Sequence, residues 1–333
     1  MFKGGPRGLG GSAAGRGGPM VMSADMRVRA AWLYYQGGQT QQEISEKLGI
    51  SRSTVIKLLD EARRRGEVQI WINLPAESTL PLGHALEQAF GVEQVIVVPN
   101  AATAGQTSAA VGAALGEYLS RNIADGQTIG FGWGSTLSGA LASFRAGQAR
   151  GIRVLSLLGG APENRTINPV ELAWQMAGLL QAECLLFLAP LIVDSAETKR
   201  RLIELCGLNQ LITAAQNMDI AVISCGAIGA TETLLSRYHI PPDDQAGLIA
   251  AGATCETLCH FMTDTGESVA HPLHDRIMSV GIDAVAQARQ IVLASGGVAK
   301  ARAIRATIHR VGCHALITDE TAAHELLRLG PLR

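Results

Sequence analysis

The sequence predicts two folded units, an N-terminal helix-turn-helix domain of winged-helix-like type and a Rossmann-like, mainly parallel α/β domain. With 333 residues, of which 47% are hydrophobic, the chain exceeds the length of one average domain and can bury a large core. Apolar residues recur at helical spacing before Gly66, whereas short apolar runs alternate with longer helical stretches beyond Leu80. We therefore place the helical domain at residues 23–75 and the α/β domain at residues 80–330.

The first 22 residues (1–22) are rich in glycine and lack the continuous apolar core of a signal peptide. They predict a disordered tail, and Met20 or Met22 is a candidate for the natural start of the chain. No apolar run reaches membrane-spanning length without interruption, so we expect a cytoplasmic protein with no membrane partner. A net charge of -1 excludes a protein coated in basic residues but leaves room for a small basic module.

Six cysteines lie mostly inside apolar runs, in a chain far larger than the small secreted domains that need disulfide frameworks. We expect reduced, buried thiols. Cys255, Cys259 and His260 stand close together, but no second ligand pair follows them at the spacing of a zinc site. The sequence therefore predicts neither a metal nor another cofactor.

Three helices with identifiable ends make up the predicted N-terminal unit. The first covers residues 24–36 and stops at two glycines. Thr40 and Glu43 have the spacing of a capping box, Gly49 can take the left-handed conformation that ends the second helix, and Ser51 can cap the third. Apolar residues stand where two steeply crossing helices need contacts, namely Ile44, Leu48, Ile50, Val55 and Leu58.

In a helix-turn-helix the third helix enters the DNA major groove, while the start of the second helix and the basic end of the third approach the phosphates. The residues predicted to contact double-stranded operator DNA are Gln41, Gln42, Ser51, Arg52, Ser53, Thr54, Lys57 and Arg63. An ordinary helical hairpin is the alternative interpretation. Residues 67–74 alternate like a short strand that would serve as a wing or a linker.

Charge in this unit predicts more than one copy. Residues 23–75 contain eight Lys or Arg against six Asp or Glu, so a single copy would bind DNA weakly. Each added copy multiplies the contacts with repeated half-sites. We therefore expect a homo-oligomer, either a dimer or a tetramer.

Beyond Leu80, short apolar strands alternate with helical stretches, which is typical of a parallel sheet covered on both faces. The predicted strands fall near residues 92–99, 127–134, 152–160, 184–193, 219–229, 291–297 and 315–319. Ligands of such sheets bind at the carboxyl ends of the strands. The loops that follow the strands are therefore the candidate binding residues.

Two glycine-rich loops follow predicted strands. Residues 130–136 precede a helix, so backbone amides, two hydroxyls and a helix N-terminus converge where an anion such as phosphate would bind. Residues 295–300 add Lys300 to the same region. Gly159, Gly160 and Gln175 extend the predicted cleft. The candidate ligand residues are Gly132, Gly134, Ser135, Thr136, Gly159, Gly160, Gln175 and Lys300. A purely structural turn, a solvent-facing Lys300 and a surface role for Gln175 are the alternatives.

The ordered set of a helix-turn-helix, GWGST, NPVELAWQMA, LAPLIVDSAET, DIAVISCGAIG, SGGVAKARAI and ALITDETAAHELL closely resembles the SorC family of sugar-responsive bacterial transcription regulators. The resemblance covers residues 24–328. It implies an effector domain related in fold to sugar-phosphate isomerases, a tetramer, and a phosphorylated sugar or related metabolite as ligand. It also implies that Gly134, Ser135 and Thr136 hold a phosphate with Lys300 as the charged partner.

One segment departs from the family pattern. Where many relatives carry a sequence resembling GDINGRFFD, residues 252–264 read GATCETLCHFMTD, with Thr254, Glu256 and His260 in place of the usual polar residues. Glu256 joins the candidate effector-binding residues on this ground. An unphosphorylated sugar or a polyol is therefore an alternative ligand.

The rival class is an enzyme, a sugar-phosphate isomerase or an aldolase-like protein. Such an enzyme needs a positioned acid and base, or a desolvated lysine that forms a Schiff base. The sequence offers no convincing pair in the predicted cleft, and an enzyme has no use for a DNA-reading head. We therefore predict a non-enzymatic repressor of a carbohydrate or polyol operon.

Overall fold

The computed structural model describes residues 24–69, 79–161, 168–228 and 240–332. Contacts between residues divide the chain into two compact units, Met1–Trp71 and Ile72–Arg333. The predicted tail at residues 1–22 and most of the predicted strand at residues 67–74 lie outside the described residues.

The first unit contains three helices, α1 (Ala24–Tyr35), α2 (Gln41–Leu48) and α3 (Arg52–Arg64). The predicted capping box at α2 is confirmed, because the Glu43 N–H donates to Thr40 Oγ1 at 3.3 Å and the Thr40 N–H donates back to Glu43 Oε2 at 2.7 Å. Gly49 has a φ of 65° and ends α2 as predicted. These local signals fix where α2 begins and ends.

Apolar side chains from all three helices form the core of this unit. Ile44, Val55 and Leu58 are fully buried, and Leu48 and Ile50 pack against them. The predicted contacts between the crossing helices are therefore confirmed. The unit is a helix-turn-helix.

The second unit is built on a seven-stranded sheet in which all neighbouring strands run parallel, in the order β1-β10-β9-β5-β2-β3-β4. The strands of this sheet are β1 (Gln94–Val98), β2 (Thr128–Phe131), β3 (Arg153–Ser156), β4 (Glu183–Leu185), β5 (Ile220–Ile223), β9 (Gln290–Ala294) and β10 (Ala315–Asp319). The predicted Rossmann-like α/β class is confirmed.

Helices cover this sheet on both faces. They are α4 (Leu80–Phe90), α5 (Ala104–Asn122), α6 (Ser135–Ser143), α7 (Pro169–Leu180), α8 (Ala196–Leu205), α9 (Asn209–Ala215), α10 (Pro242–Ala250), α11 (Ile282–Ala286), α12 (Ala301–Val311) and α13 (Glu320–Leu329). Two apolar clusters result, and successive residues of β10, Leu316 and Ile317, belong to different ones. Such two-sided burial explains why the strands read as continuous apolar runs.

The structure differs from the sequence prediction at three places. The apolar run at residues 184–193 contributes only the short strand β4, because its later residues leave the sheet. A small antiparallel sheet of β6 (Gly226–Ala227), β7 (Cys255–Thr257) and β8 (His260–Met262) was not predicted. Cys206 is exposed, although four of the six cysteines are buried as expected. Within the described ranges, no helix is long and apolar enough to cross a membrane.

Candidate nucleic-acid interface and ligand cleft

The start of α3 is held by its own hydroxyl groups. Ser51 Oγ accepts the Thr54 N–H at 3.1 Å and lies 2.8 Å from both Ser53 Oγ and Thr54 Oγ1. Ser51 therefore caps the helix, as predicted, and its hydroxyl is partly committed to that role. Contact of these three residues with DNA remains a prediction.

The charged residues predicted to contact DNA are free to reach outward. Arg52, Lys57 and Arg63 are exposed along α3. Arg52 Nε donates to Gln41 Oε1 at 3.4 Å, which links the start of α3 to the start of α2. Gln42 is exposed and donates to Glu46 at 2.9 Å. A row of polar groups thus crosses from α2 to α3.

A concave surface of about 700 Å³ lies beside this row, lined by Tyr34, Gly38, Gln39, Thr40, Gln41, Gln42 and Arg52. It includes the N-terminus of α2, where the positive end of the helix dipole favours a phosphate. Gln39 Oε1 is buried there without a hydrogen-bond partner. Sequence reasoning missed Tyr34 and Gln39, because neither belongs to the two helices that the motif highlights.

One cation of this unit is structural. Arg27 is 6% exposed, and its guanidinium makes a double hydrogen bond with the Glu67 carboxylate while lying 4.0 Å from Glu61. The hydrogen bond from Arg27, with its charge, holds the pKa of Glu67 below its ordinary value. The ion pair takes one positive and one negative charge out of the count, so the surplus is unchanged, but Arg27 is not available for contact with DNA.

In the second unit, the sheet order creates a crevice between β2 and β5. The chain continues from β2 to β3 and β4 on one side, and from β5 to β9 and β10 on the other. Loops that leave two adjacent parallel strands in opposite directions open a ligand crevice at their carboxyl ends. The loop after β2 holds Gly132, Gly134, Ser135 and Thr136, so the structure places these predicted residues at the switch point.

The loop after β2 leads into a helix whose N-terminus has no side-chain cap. Gly134 has a φ of 135° and directly precedes this helix, α6. Ser135 is exposed and Thr136 is buried. A Cβ on Gly134 would lie 4.0 Å from Cβ of Ser224, the half-buried residue after β5. Ser224 is a hydroxyl at the crevice that the sequence did not single out.

Lys300 and Glu256 both act on the same buried thiol. Burial raises the pKa of Cys225 to about 11, whereas the Ser295 hydroxyl and the Lys300 charge lower it and the Glu256 charge raises it. Cys225 follows β5, and its carbonyl accepts from Ser295 Oγ, which follows β9, at 3.3 Å. Glu256 is also paired with Gly226, the residue after Cys225, so both charges act where the chain leaves β5.

Asp319 holds the lysine-bearing loop in place. This carboxylate, 1% exposed at the end of β10, accepts the Gly297 N–H at 2.6 Å and the Thr321 N–H at 3.1 Å, and also the Thr321 hydroxyl. A Cβ on Gly296 would lie 2.7 Å from Asp319 Oδ1. The two glycines of SGGVAK therefore let the loop pack on Asp319. The sequence analysis did not identify Asp319 as a support of this loop.

The β7–β8 hairpin packs against the loop after β2. Its turn residues Leu258 and Cys259 have φ of 55° and 58°, which side chains rarely adopt. Glu256, buried in β7, accepts the Cys259 N–H at 2.9 Å and so supports this turn. A Cβ on Gly132 would lie 2.9 Å from Leu258 Cδ2, so a larger residue at this position would require the Leu258 side chain to move.

The remaining predicted ligand residues are engaged within the protein. The Gly159 N–H donates to the Met278 carbonyl at 2.8 Å and the Gly160 N–H donates to the Ala189 carbonyl at 2.9 Å. Gln175 is exposed on α7 and donates to Glu171 at 2.9 Å. A ligand role for these three residues remains a prediction, and it does not involve the two glycine amides.

Comparison with known proteins agrees with this two-part architecture. Residues 75–328 match the family model described as "Putative sugar-binding domain", and residues 22–71 match a homeodomain-like domain. The crystal structure of the full-length sorbitol operon regulator SorC from Klebsiella pneumoniae superposes with a TM-score of 0.73 at 22% identity, over 91% of this chain and 98% of that one. That similarity extends over both units and shows a shared fold.

Curated relatives are similar along nearly the whole chain. The transcriptional regulator LsrR of Enterobacter sp. (strain 638) is 31% identical over 313 residues, 92% of this chain and 93% of its own length. The erythritol catabolism regulatory protein EryD of Brucella abortus (strain 2308) is 26% identical, over 91% of this chain and 96% of its own. The chain therefore belongs to the SorC family of transcriptional regulators, which join a helix-turn-helix to a sugar-binding domain.

Proposed function

We propose that this chain represses a carbohydrate or polyol operon, and that a sugar, a polyol or a phosphate of either controls its binding to operator DNA. The α3 surface would read the bases through the side chains of Arg52 and Lys57, and α2 would approach the DNA phosphate backbone. We further propose that residues 23–75 form the reading domain, residues 80–330 the effector domain, and that the chain works as a homo-oligomer in the cytoplasm.

The observation that carries the effector proposal is that an uncapped helix N-terminus follows β2, while the charge of Lys300 acts on Cys225, which follows the neighbouring strand β5. The start of α6 presents backbone amides after Gly134, and the pKa of Cys225, two residues after β5, is raised by burial and lowered by the positive charge of Lys300. Helix N-termini and lysines both favour phosphate oxygens. A phosphorylated ligand therefore suits this crevice better than a neutral one, and Ser224 adds a hydroxyl beside it.

We infer that the domain binds its ligand without converting it. Among the described residues near the hairpin, the Glu256 carboxylate already accepts the Cys259 N–H. The rings of His260 and His274 bond to Ser268 at 2.7 Å and to the Phe261 N–H at 3.0 Å. These acid and base candidates serve the fold, which supports a regulator and not an isomerase.

Ligand and DNA affinity are coupled in this proposal. Effector binding stabilises one arrangement of the oligomer and thereby changes how well paired reading units fit their half-sites. By linkage, DNA must change the effector affinity by the same factor.

Selection of binding sites from a random duplex DNA pool tests the proposal. We expect a paired motif to be enriched, and titration of the selected site with sugars, polyols and their phosphates should identify one compound that shifts its affinity. Recovery of no motif at moderate salt would contradict DNA reading. An unchanged operator affinity at saturating ligand would contradict the coupling, and turnover of a sugar phosphate by the chain would support the enzyme class instead.

A further inference from the structure

Two threonines face each other inside the apolar core of the effector unit. Thr257 lies in β7 and Thr307 lies in α12, and neither residue is exposed to solvent. Their hydroxyl oxygens are 2.9 Å apart, which is the separation of a hydrogen bond. Two valines would fill similar space in an apolar core and would need no hydrogen-bond partner. The hydroxyl pair therefore contributes something that an apolar contact of the same shape would not.

The hydroxyl pair lets the helix and the hairpin approach each other closely. Carbon atoms in contact stay about 3.5 to 4.0 Å apart, so two facing methyl groups would hold α12 farther from β7 than the hydrogen bond does. A second close approach lies one residue earlier on α12, where a Cβ added to Gly266 would lie 2.8 Å from the Ala306 carbonyl oxygen. The segment from β7 to Gly266 thus fits closely along α12, and the hydroxyl pair adds a buried hydrogen bond to that contact.

The same helix begins directly after Lys300, the residue proposed to meet a phosphate. Seven residues, or about two helical turns, lead from Lys300 to Thr307. On the hairpin, Leu258 is the neighbour of Thr257 and contacts the loop after β2 at Gly132. One hairpin therefore contacts both the helix that follows the lysine and the loop that precedes α6.

Further buried polar groups extend from the threonine pair toward the crevice. Burial raises the pKa of Cys225 to about 11, and hydrogen bonds with the side chains of Ser295 and Thr307 lower it. Ser295 is fully buried and directly precedes the two glycines of the lysine-bearing loop. A chain of polar contacts thus runs from Ser295 through Cys225 and Thr307 to Thr257. Because an unpaired buried hydroxyl costs free energy, this chain favours one arrangement of α12 and the hairpin.

We propose that the Thr257–Thr307 hydroxyl pair positions Lys300 for a ligand phosphate, by fixing α12 on the hairpin that also supports the loop after β2. Thr307 is a positioning residue, because its side chain is fully buried and acts through the backbone of α12. The inference rests on the proposed function, since it takes a phosphate as the group that Lys300 meets. A shift of about 1 Å at Lys300 would weaken its bond to a phosphate oxygen, because charge-assisted hydrogen bonds are short and directional.

The position of Lys300 can be followed without any ligand. The chain contains five lysines, so the full-length protein labelled with carbon-13 at the lysine ε-carbons gives few NMR signals, and Lys300→Met identifies the signal of Lys300. This signal should shift in Thr307→Val, whereas Thr307→Ser keeps the hydroxyl and should leave it in place. Thr318→Val is the matched control, since Thr318 is equally buried but its hydroxyl has no hydrogen-bond partner within the described ranges.

Calorimetric titration with inorganic phosphate at constant ionic strength measures the consequence for binding. Thr307→Val should weaken phosphate by about tenfold, and Thr307→Ser by less than about threefold. In the Lys300→Met background, Thr307→Val should weaken phosphate by less than about twofold, because a positioning residue loses its effect once the group that it positions is removed. Equal weakening with and without Lys300 would show a general role in folding and contradict the inference.

The double variant Thr257→Val/Thr307→Val separates displacement from loss of stability. It leaves no unpaired hydroxyl at either position, so it should regain the Tm that Thr307→Val loses. The Lys300 signal should nevertheless stay shifted, because two methyl groups still hold α12 away from β7. A signal that returns to its place together with the Tm would show that the pair serves folding alone, and the inference would be wrong.

Failure of the proposed function gives a different result from failure of this inference. If the unsubstituted chain binds no phosphate but the Lys300 signal moves in Thr307→Val and not in Thr318→Val, the phosphorylated effector is contradicted and the hydroxyl pair still positions Lys300. If the chain binds phosphate but the Lys300 signal is the same in Thr307→Val as in Thr318→Val, the effector proposal stands and the positioning role is wrong.

Discussion

The two units hold their candidate sites in different ways. In the reading unit the starts of α2 and α3 are each fixed by a hydrogen bond between residues three apart, Thr40 with Glu43 and Ser51 with Thr54. In the effector unit the lysine-bearing loop is fixed by Asp319, 22 residues from the Gly297 amide that it accepts. The reading surface thus depends on local contacts, and the ligand cleft depends on contacts across the sheet.

The predicted DNA-binding side chains are exposed, whereas the residue that holds the ligand-binding loop is buried. Arg52 and Lys57 are exposed, so their loss should change binding with little effect on folding. Asp319 is buried and accepts two backbone N–H groups, so its loss should change folding and binding together. Substitutions in the two units can therefore show whether binding and folding change separately in one unit and together in the other.

The largest effect is expected for Asp319→Ala. The Gly297 and Thr321 N–H groups would lose a buried acceptor, which should lower the free energy of unfolding by about 3 kcal/mol. Urea unfolding measures this loss of stability, and hydrogen exchange of peptides from each unit shows which unit is affected. Stabilisation by effector should disappear as well, because the loop that carries Lys300 is released.

Asp283→Ala is the control for this variant. Asp283 is 80% exposed in its side chain and pairs with Arg310 on the surface, so the cost should stay below about 1 kcal/mol. If Asp319→Ala were as stable as this control, the carboxylate would not organise the loop.

The next effect concerns the ligand alone. Lys300→Met removes a half-buried positive charge from the crevice but keeps the length of the chain, and it should weaken a phosphorylated effector by about 2 kcal/mol. Calorimetric titration measures this loss, and operator affinity without ligand should not change. Arg302→Gln is the matched control, because it removes an exposed charge that pairs with Asp264. Equal weakening by both would indicate a general field effect.

Two arginines of α3 should differ from each other. Arg52→Ala should weaken the selected operator by about 1 to 3 kcal/mol and relax sequence preference, since its position suits a base contact. Arg63→Ala should weaken all sequences alike and reduce the salt dependence by about one phosphate contact. Binding titrations on selected and scrambled duplexes at several salt concentrations distinguish them. Identical behaviour would contradict the predicted orientation of α3.

The helix ends and the core contacts of the reading unit could be predicted from the sequence. Thr40, Gly49 and Ser51 carry local chemistry that determines helix ends, and the structure confirms each of them. Arg27 was the exception, because its partner Glu67 lies 40 residues away and no short pattern joins them.

The effector unit was predictable in class and in its glycine loops, but not in the supports of those loops. Short-range patterns place Gly134 and Lys300 after strands, since the chain order of strands and loops is local information. They do not reveal that Ser224 lies beside Gly134, because that depends on β5 pairing with β2. The hairpin of β7 and β8 escaped prediction because its turn uses Leu258 and Cys259 at positive φ, without the glycine that marks such turns.

The smallest effect is a pH dependence confined to one unit. Burial, with the nearby His274, lowers the pKa of His260 from 6.5 to about 4, so the folded protein holds this ring neutral. The unfolded chain binds the proton more readily, and the stabilisation is present above pH 6.5 and is lost as the pH falls toward 4. Residues 24–69 contain no histidine, so the reading unit has no such group.

Hydrogen exchange at pH 7.5 and pH 5.5, corrected for intrinsic rates, should therefore show protection falling in β8 and its neighbours while α2 and α3 change little. His274 strengthens the expectation, because its pKa is also lowered, chiefly by burial, and its Nε2 must stay unprotonated to accept the Phe261 N–H. His260→Gln should reduce the pH dependence without removing it. If both units lost protection alike, the acid sensitivity would not come from this histidine pair, and the contrast between local and long-range support would lose its pH signature.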